Sequence, residues 1–292
     1  MKQVLILTLL LITGCKGIDS PKSPTDPTTP VDTSNQLKVG AFNIQVFGVS
    51  KMSKPEVVST LVKTVSRYDL VLIQEIRDAG GTVITDFMSA LNQSADNQYD
   101  YVISSRTGRS SSKEQYAYIY KKHLLAVTDS FEFDDGVEPS SDLFEREPFI
   151  VLFEHLSTRE QFFTIGIHVK PSDVVNELNK LDDVYFFAED YYNLNKSIIM
   201  GDLNADCSYL SDSAENSLHL KTDAQFTWHI NKSMDTTAGN SDCAYDRIIT
   251  TGSISNHVTG VEIFNFQSKF GLSSSAAAEV SDHYPVSITL QF

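Results

Sequence analysis

The sequence predicts an α+β fold made of packed sheets. Apolar runs of strand length are interspersed with helical patterns, many joined by short turns, and no repeat of fixed period is present. Hydrophobic residues make up 41% of the 292, enough for a substantial core, and charged residues 21%. Several of the apolar runs end in Glu, Asp, Asn or His, residues that a buried strand has no packing reason to carry.

In chain order, residues 1–14 read as an export signal. Lys2 precedes an apolar run from Val4 to Ile12 that is too short to span a bilayer as a helix. Leu11-Ile12-Thr13-Gly14-Cys15 is similar to a bacterial lipobox, which makes Cys15 the expected lipidated N-terminus; an ordinary signal peptide with a stray cysteine is the other reading. Several acyl chains anchor stably where one does not. Lys16 directs the lipoprotein to an outer membrane or cell surface. Residues 15–36 are Pro, Ser, Thr and Asp with almost nothing to bury, a tether that reaches on the order of 60 Å. The folded domain is residues 37–292.

Leu37 to Ile44 is strand-like and ends near Asn43. Ser53-Lys54-Pro55-Glu56 has a capping-box pattern, followed by Val57, Val58, Leu61, Val62 and Val65 at helical spacing. Leu70-Val71-Leu72-Ile73 reads as a buried strand with Gln74-Glu75 at its end. The form recurs where Phe162 to Ile167 runs into His168 and Ser197 to Met200 runs into Gly201-Asp202-Leu203-Asn204. Between these, Leu178, Leu181, Tyr185, Ala188 and Tyr192 mark a helical face. Asp246 precedes Ile248-Ile249, and Asp282-His283 precedes an alternating run from Tyr284 to Leu290.

One polar strand end is ordinary, but six suggest a shared rim: Asn43, Glu75, His168, Asp202 with Asn204, Asp246, and Asp282 with His283. The inventory is rich in acids, has two histidines and lacks a candidate thiolate. That suits hydrolysis by water with oxygen-bound Mg²⁺. Phosphodiester cleavage needs a base for water, an acid for the leaving oxygen and cations at the phosphate, and imidazole titrates in the range for the first two. Arg146 and Arg109 are candidate phosphate contacts. In an exported chain, Cys207 and Cys243 read as a disulfide worth roughly 4 kcal/mol, with two free thiols as the other possibility. The net charge of −15 argues against a non-specific DNA binder, unless bound cations supply local positive charge.

Spacing alone cannot assemble this rim. Eight segments in order do resemble pancreatic-type deoxyribonuclease (the DNase I family, within the endonuclease/exonuclease/phosphatase superfamily). They are Ala41-Phe42-Asn43-Ile44, Asp69 to Asp78, Lys113-Glu114-Gln115-Tyr116, Arg146-Glu147-Pro148, His168 to Asp173, Gly201 to Tyr209, Cys243 to Arg247, and Ser281 to Val286. The resemblance covers Leu37 to Phe292. It implies a four-layer α/β/β/α sandwich, two mainly antiparallel sheets flanked by helices. It also implies a metal-dependent endonuclease that leaves 5′-phosphate and 3′-hydroxyl ends. Glu75 is then the principal Mg²⁺ (or Mn²⁺) ligand with Asn43 beside it, while Asp202, Asn204 and Asp282 bind phosphate and metal. His168 is expected to pair with Asp246 and His283 with Glu114, one imidazole serving as base and the other as acid. Arg77 and Arg146 become DNA contacts, and Cys207–Cys243 matches the family's larger disulfide. Structural Ca²⁺ is implied at Asp135, Asp142, Glu147 and the Phe144 carbonyl, and at Asp235 with Thr237.

The chain departs from the family pattern in several places. The smaller disulfide is absent from residues 136–140, where the loop is one residue shorter. Ser112 replaces a tyrosine that reaches the minor groove, and Gln45 replaces an arginine. Lys170 is a possible compensating phosphate ligand. Ser105 stands where an acidic actin contact is expected, so actin is not an expected partner and no obligate protein partner is implied. DNA is the expected partner, and the membrane is reached only through the lipid anchor. Two other readings stand beside this one. A head-group phosphodiesterase of the same superfamily would keep the acids and histidines but lose the DNA-facing arginines. A non-catalytic surface binder would have lost a histidine or its carboxylate, and all four residues are present.

Overall fold

The computed structural model describes residues 35–136 and 142–292. The export signal, Cys15 and the tether up to residue 34 lie outside the described residues, as do residues 137–141 of the shortened loop. Twelve strands are present among the described residues: β1 (Gln36–Phe47), β2 (Leu70–Ile76), β3 (Tyr99–Ile103), β4 (Gln115–Lys121), β5 (Leu125–Glu132), β6 (Phe149–His155), β7 (Gln161–Gly166), β8 (Ser197–Asp202), β9 (Thr227–Trp228), β10 (Asp246–Thr250), β11 (Val258–Ile263) and β12 (Val286–Gln291). They form two six-stranded sheets, ordered β11-β12-β1-β2-β4-β3 and β5-β6-β7-β8-β10-β9.

The expected four layers follow from which faces are apolar. In β2, Leu70 and Leu72 point between the sheets, where they meet Tyr116 and Tyr118 of β4 and Phe149, Val151, Phe162, Ile198 and Met200 of the second sheet. Val71 and Ile73 point the other way, onto the helices Pro55–Val65 and Thr82–Ser94. A strand covered on both faces must be apolar throughout, which explains the unbroken Leu-Val-Leu-Ile run. On the far side, Phe163, Ile165, Ile199 and Ile249 pack against Leu181, Val184, Tyr185 and Ala188 of the helix Leu181–Tyr192. The capping box is not formed. Ser53 instead closes a preceding turn of helix, Val49–Met52, with its hydroxyl on the Ser50 carbonyl, and Lys54 takes the N-cap position.

Each sheet is antiparallel except for one central pair, β1 with β2 and β7 with β8. A parallel pair needs a crossover, and helices supply it in both cases. The carboxyl ends of all four strands carry rim residues: Asn43, Glu75, His168 and Asp202. Strands antiparallel to them begin where they end, so Glu114 before β4, Asp246 opening β10, and Asp282-His283 before β12 arrive at the same edge. This topology collects residues from the whole chain at one place.

Candidate active site

The rim is shaped by backbone irregularity. The β1–β2 ladder shifts register between Asn43 and Phe47, and the β2–β4 ladder shifts between Ile73 and Ile76. There Gln45, Val46 and Glu75 take left-handed φ values of 44°, 52° and 59°. Such conformations cost of order 1–3 kcal/mol each outside glycine. They turn Glu75 off the strand so that its Oε2 accepts from the Val46 N–H at 2.8 Å. The Asn43 side-chain nitrogen, buried, donates to Glu75 Oε1 at 3.2 Å and to Asp202 Oδ2 at 3.1 Å, bridging the two acids.

Each histidine has a buried carboxylate behind it, but the partners are exchanged relative to the expectation. His168 Nδ1 lies 3.1 Å from Glu114 Oε1, and His283 Nδ1 lies 2.8 Å from Asp246 Oδ2. Both pairs join the two sheets: Glu114 precedes β4 and His168 follows β7, while Asp246 opens β10 and His283 precedes β12. Which strand faces which is fixed by sheet packing, and that makes the pairing. The Nε2 atoms of both imidazoles lie 3.5 Å from one oxygen, Asp202 Oδ2.

The two imidazoles are pushed in opposite directions. Burial lowers the His168 pKa, outweighing the pull of Asp202. For His283, burial also disfavours the charge, but Asp246 and Asp202 overcome it and lift the pKa to about 10. Glu75 and Asp202 are held below the usual carboxylate range. Burial opposes this, and it is outweighed by His168 beside Glu75 and by His283 and His168 beside Asp202.

Other expected residues divide between the site and elsewhere. Arg146 joins the centre, ion-paired to Glu114 and donating to the His168 carbonyl at 3.1 Å. Arg77 stands at the edge, its Nε 3.9 Å from Glu75 and 4.0 Å from Glu114, with a bond to the Ser112 hydroxyl. Asn204 is placed by its own N–H on Asp202 and its amide on the Val169 carbonyl. Asp282 is half exposed and accepts from Gln45 at 2.8 Å. Arg109 does not reach this centre as a phosphate contact: its guanidinium grips the Asp142 carboxylate and carbonyl. Lys170 pairs with Glu145 at 2.7 Å.

The acidic loop places Asp135 and Asp142 near Glu147, but among the described residues the three carboxylates do not close into one ligand cluster. Asp135 accepts from the Leu143 and Phe144 N–H groups, and Glu147 is raised by burial and then by Asp135, Asp142 and Glu132 nearby. Asp235 accepts from Thr237 and Cys243, and the Thr237 segment bridges to His283. Cys207 and Cys243 form the disulfide.

Several supporting residues had escaped the sequence reading. Gln74, fully buried, donates to the Ile167 carbonyl and accepts from Asp202 N–H, locking one sheet to the other. The Tyr116 hydroxyl accepts from His168 N–H, and the Ser281 hydroxyl donates to the Asn43 carbonyl while accepting from His283 N–H. Gln74 carried a signal: an amide inside an apolar strand must find partners.

Two groups, each of acids with a histidine, could hold a divalent cation. Ligand atoms of Glu75, Glu114 and His168 lie within 4.8 Å of one another, as do those of Asp202, Asp246 and His283. Glu114 Oε2 and Asp246 Oδ1 are buried without a hydrogen-bond partner, which leaves lone pairs available.

Comparison with known proteins agrees with this geometry. The sequence pattern of the Endonuclease/Exonuclease/phosphatase family matches residues 40–283. Deoxyribonuclease-1 of Bos taurus is 44% identical over 259 residues, covering 87% of this chain and 92% of its own length. Deoxyribonuclease-1 of Homo sapiens is 42% identical over 260 residues, with the same two coverages. Among solved structures, the endonuclease/exonuclease/phosphatase family protein from Leptotrichia buccalis C-1013-b superimposes with a TM-score of 0.65 at 15% identity, covering 88% of this chain and 100% of that one, which shows the shared fold. The chain belongs to the Endonuclease/Exonuclease/phosphatase family and is a deoxyribonuclease I-like hydrolase.

Proposed function

We propose that the protein is an endonuclease that cuts DNA phosphodiester bonds to 5′-phosphate and 3′-hydroxyl ends. One observation carries the two-histidine mechanism: both imidazole Nε2 atoms converge on a single Asp202 oxygen, each backed by its own buried carboxylate. A phosphate seated there lies between the two rings. One imidazole takes a proton from water as its oxygen attacks phosphorus. The other gives a proton to the 3′ oxygen as the P–O bond breaks. Opposite pKa shifts supply one neutral and one charged ring at neutral pH, the combination of forms this requires. Glu114 and Asp246 hold the Nδ1 protons and so fix the tautomers.

Glu75 and Asp202, with Asn43, Asn204 and Asp282 around them, would hold Mg²⁺ or Mn²⁺. The ion neutralises charge on the phosphate oxygens when bound. Arg77 and Arg146 would neutralise phosphate from the other side. Ca²⁺ would sit in the acidic loop beside Asp135, Asp142 and Glu147, and at Asp235 with Thr237. In the first of these it competes with Arg109 for Asp142. Among the described residues no helix is long and apolar enough to cross a membrane. The lipobox-like Leu11–Cys15 pattern supports export and anchoring through Cys15.

Plasmid nicking by the full chain tests this reading, with Mg²⁺ plus Ca²⁺ against EDTA. Nicking that requires metal, with 5′-phosphate termini, is expected. A folded protein that leaves DNA intact but cleaves phospholipid head groups would overturn the DNA assignment.

A further inference from the structure

The loop that presents Glu75 is strained, and something must hold it. Lys51 lies on the one-turn helix Val49–Met52, half-buried behind the loop. Its Nζ donates to the carbonyls of Ile44 at 2.7 Å, Gln45 at 2.6 Å and Val280 at 2.7 Å. An ammonium has three donors, and all three are used on backbone oxygens of two separate segments.

Those segments carry opposite halves of the site. From the Ile44–Gln45 side, Gln45 N–H fixes Asn43 Oδ1 at 2.9 Å and Val46 N–H fixes Glu75 Oε2 at 2.8 Å. Gln45 also reaches Asp282 Oδ2 through its amide. On the other side, Val280 leads directly into Ser281, whose hydroxyl ties the Asn43 carbonyl to His283 N–H. The left-handed conformations of Gln45 and Val46 are unfavourable for an isolated chain, Val46 the more so because it is β-branched. Two charge-assisted bonds to the Ile44 and Gln45 carbonyls oppose relaxation, and the third anchors the turn to Val280.

We propose that Lys51 is a positioning residue for the metal-binding half of the site. Its ammonium pins the strained Ile44–Val46 turn to the Val280 segment, so that Glu75, steadied by the Asn43 amide, and Asp282 face one cation. It touches neither substrate nor metal. This rests on the metal-dependent reading above and extends it to a residue that no rim pattern marks.

The test is calorimetric Mn²⁺ titration of the full chain, with Glu75→Ala as the reference that identifies the site's own binding component. Lys51→Met is expected to weaken that component roughly 10–100-fold, as loss of a group supporting metal ligands does, while far-ultraviolet circular dichroism stays native. Lys51→Arg keeps the charge and several donors and should recover most of the affinity. In nicking assays the Met variant should need correspondingly more Mg²⁺ for half-maximal rate. A folded Lys51→Met protein with unchanged Mn²⁺ affinity overturns the proposal. So does a Lys51→Met chain that cannot fold while Lys51→Gln folds and binds Mn²⁺ normally. If the wild type itself shows no component missing from Glu75→Ala, the metal reading fails instead, and the two failures are distinct.

Discussion

At the residue scale the decisive atom is Asp202 Oδ2, on which Asn43 and both imidazoles converge. The acids and histidines around it were legible in the sequence as polar ends of apolar runs. Their partnership was not: Glu114 and Asp246 are matched to the histidines across two facing sheets, and nothing local in the chain records which strands face each other. Charge makes the pairing testable. Asp246→Asn removes a main cause of the high His283 pKa, so the ring should titrate well below about 10 in an NMR pH series. An unchanged titration would mean that Asp246 does not hold the proton. The sign for stability follows. The His283 pKa is raised on folding, so its contribution is full below about 6.5 and fades as pH rises through about 10. His168 is lowered, so its contribution is present above about 6.5 and fades as pH falls.

At the scale of elements, strands were easier to read than the irregularities that make them useful. Leu70–Ile73 and Ser197–Met200 announce themselves by apolar runs bounded by polar residues. The register shifts after Asn43 and Ile73 leave no such mark, because Gln45, Val46 and Glu75 are not residues that favour left-handed backbone. The capping-box pattern misled for a local reason: one more turn of helix precedes it and takes Ser53 as its C-cap. Gly201 shows how closely β8 meets the end of its neighbour β7 and Gln74 of the facing sheet. Its φ is 142°, and an added Cβ would stand 2.2 Å from the Ile167 carbonyl and 2.8 Å from the Gln74 amide. Gly201→Ala combines backbone strain with overpacking and is expected to cost about 3 kcal/mol or more. Chemical denaturation would measure it, and a loss under about 1 kcal/mol would show that the backbone around Gly201 yields.

At the scale of the whole molecule, two parallel pairs inside antiparallel sheets bring polar ends from across residues 43–283 to one edge. Patterning along the chain reaches an α+β fold with packed sheets; the four layers came through family resemblance, and the strand order is a finding of the structure. The Cys207–Cys243 bond secures the segment between Asn204 and Asp246, closing a sequence separation of 36. Its reduction should cost about 4 kcal/mol in the chain-entropy estimate and lower the melting temperature by roughly 10 °C. An unchanged melting curve would show that the bond adds nothing. Bound cations would offset part of the formal charge of −15.

Whether two imidazoles share one phosphate is read from the DNA nicking rates of wild type, His168→Ala, His283→Ala and the double variant, each checked for a native melting transition. Each single variant is expected to lose at least about 100-fold. The double variant should lose little more, because the two rings act as a unit. A folded single variant that cuts DNA at the wild-type rate would contradict the mechanism.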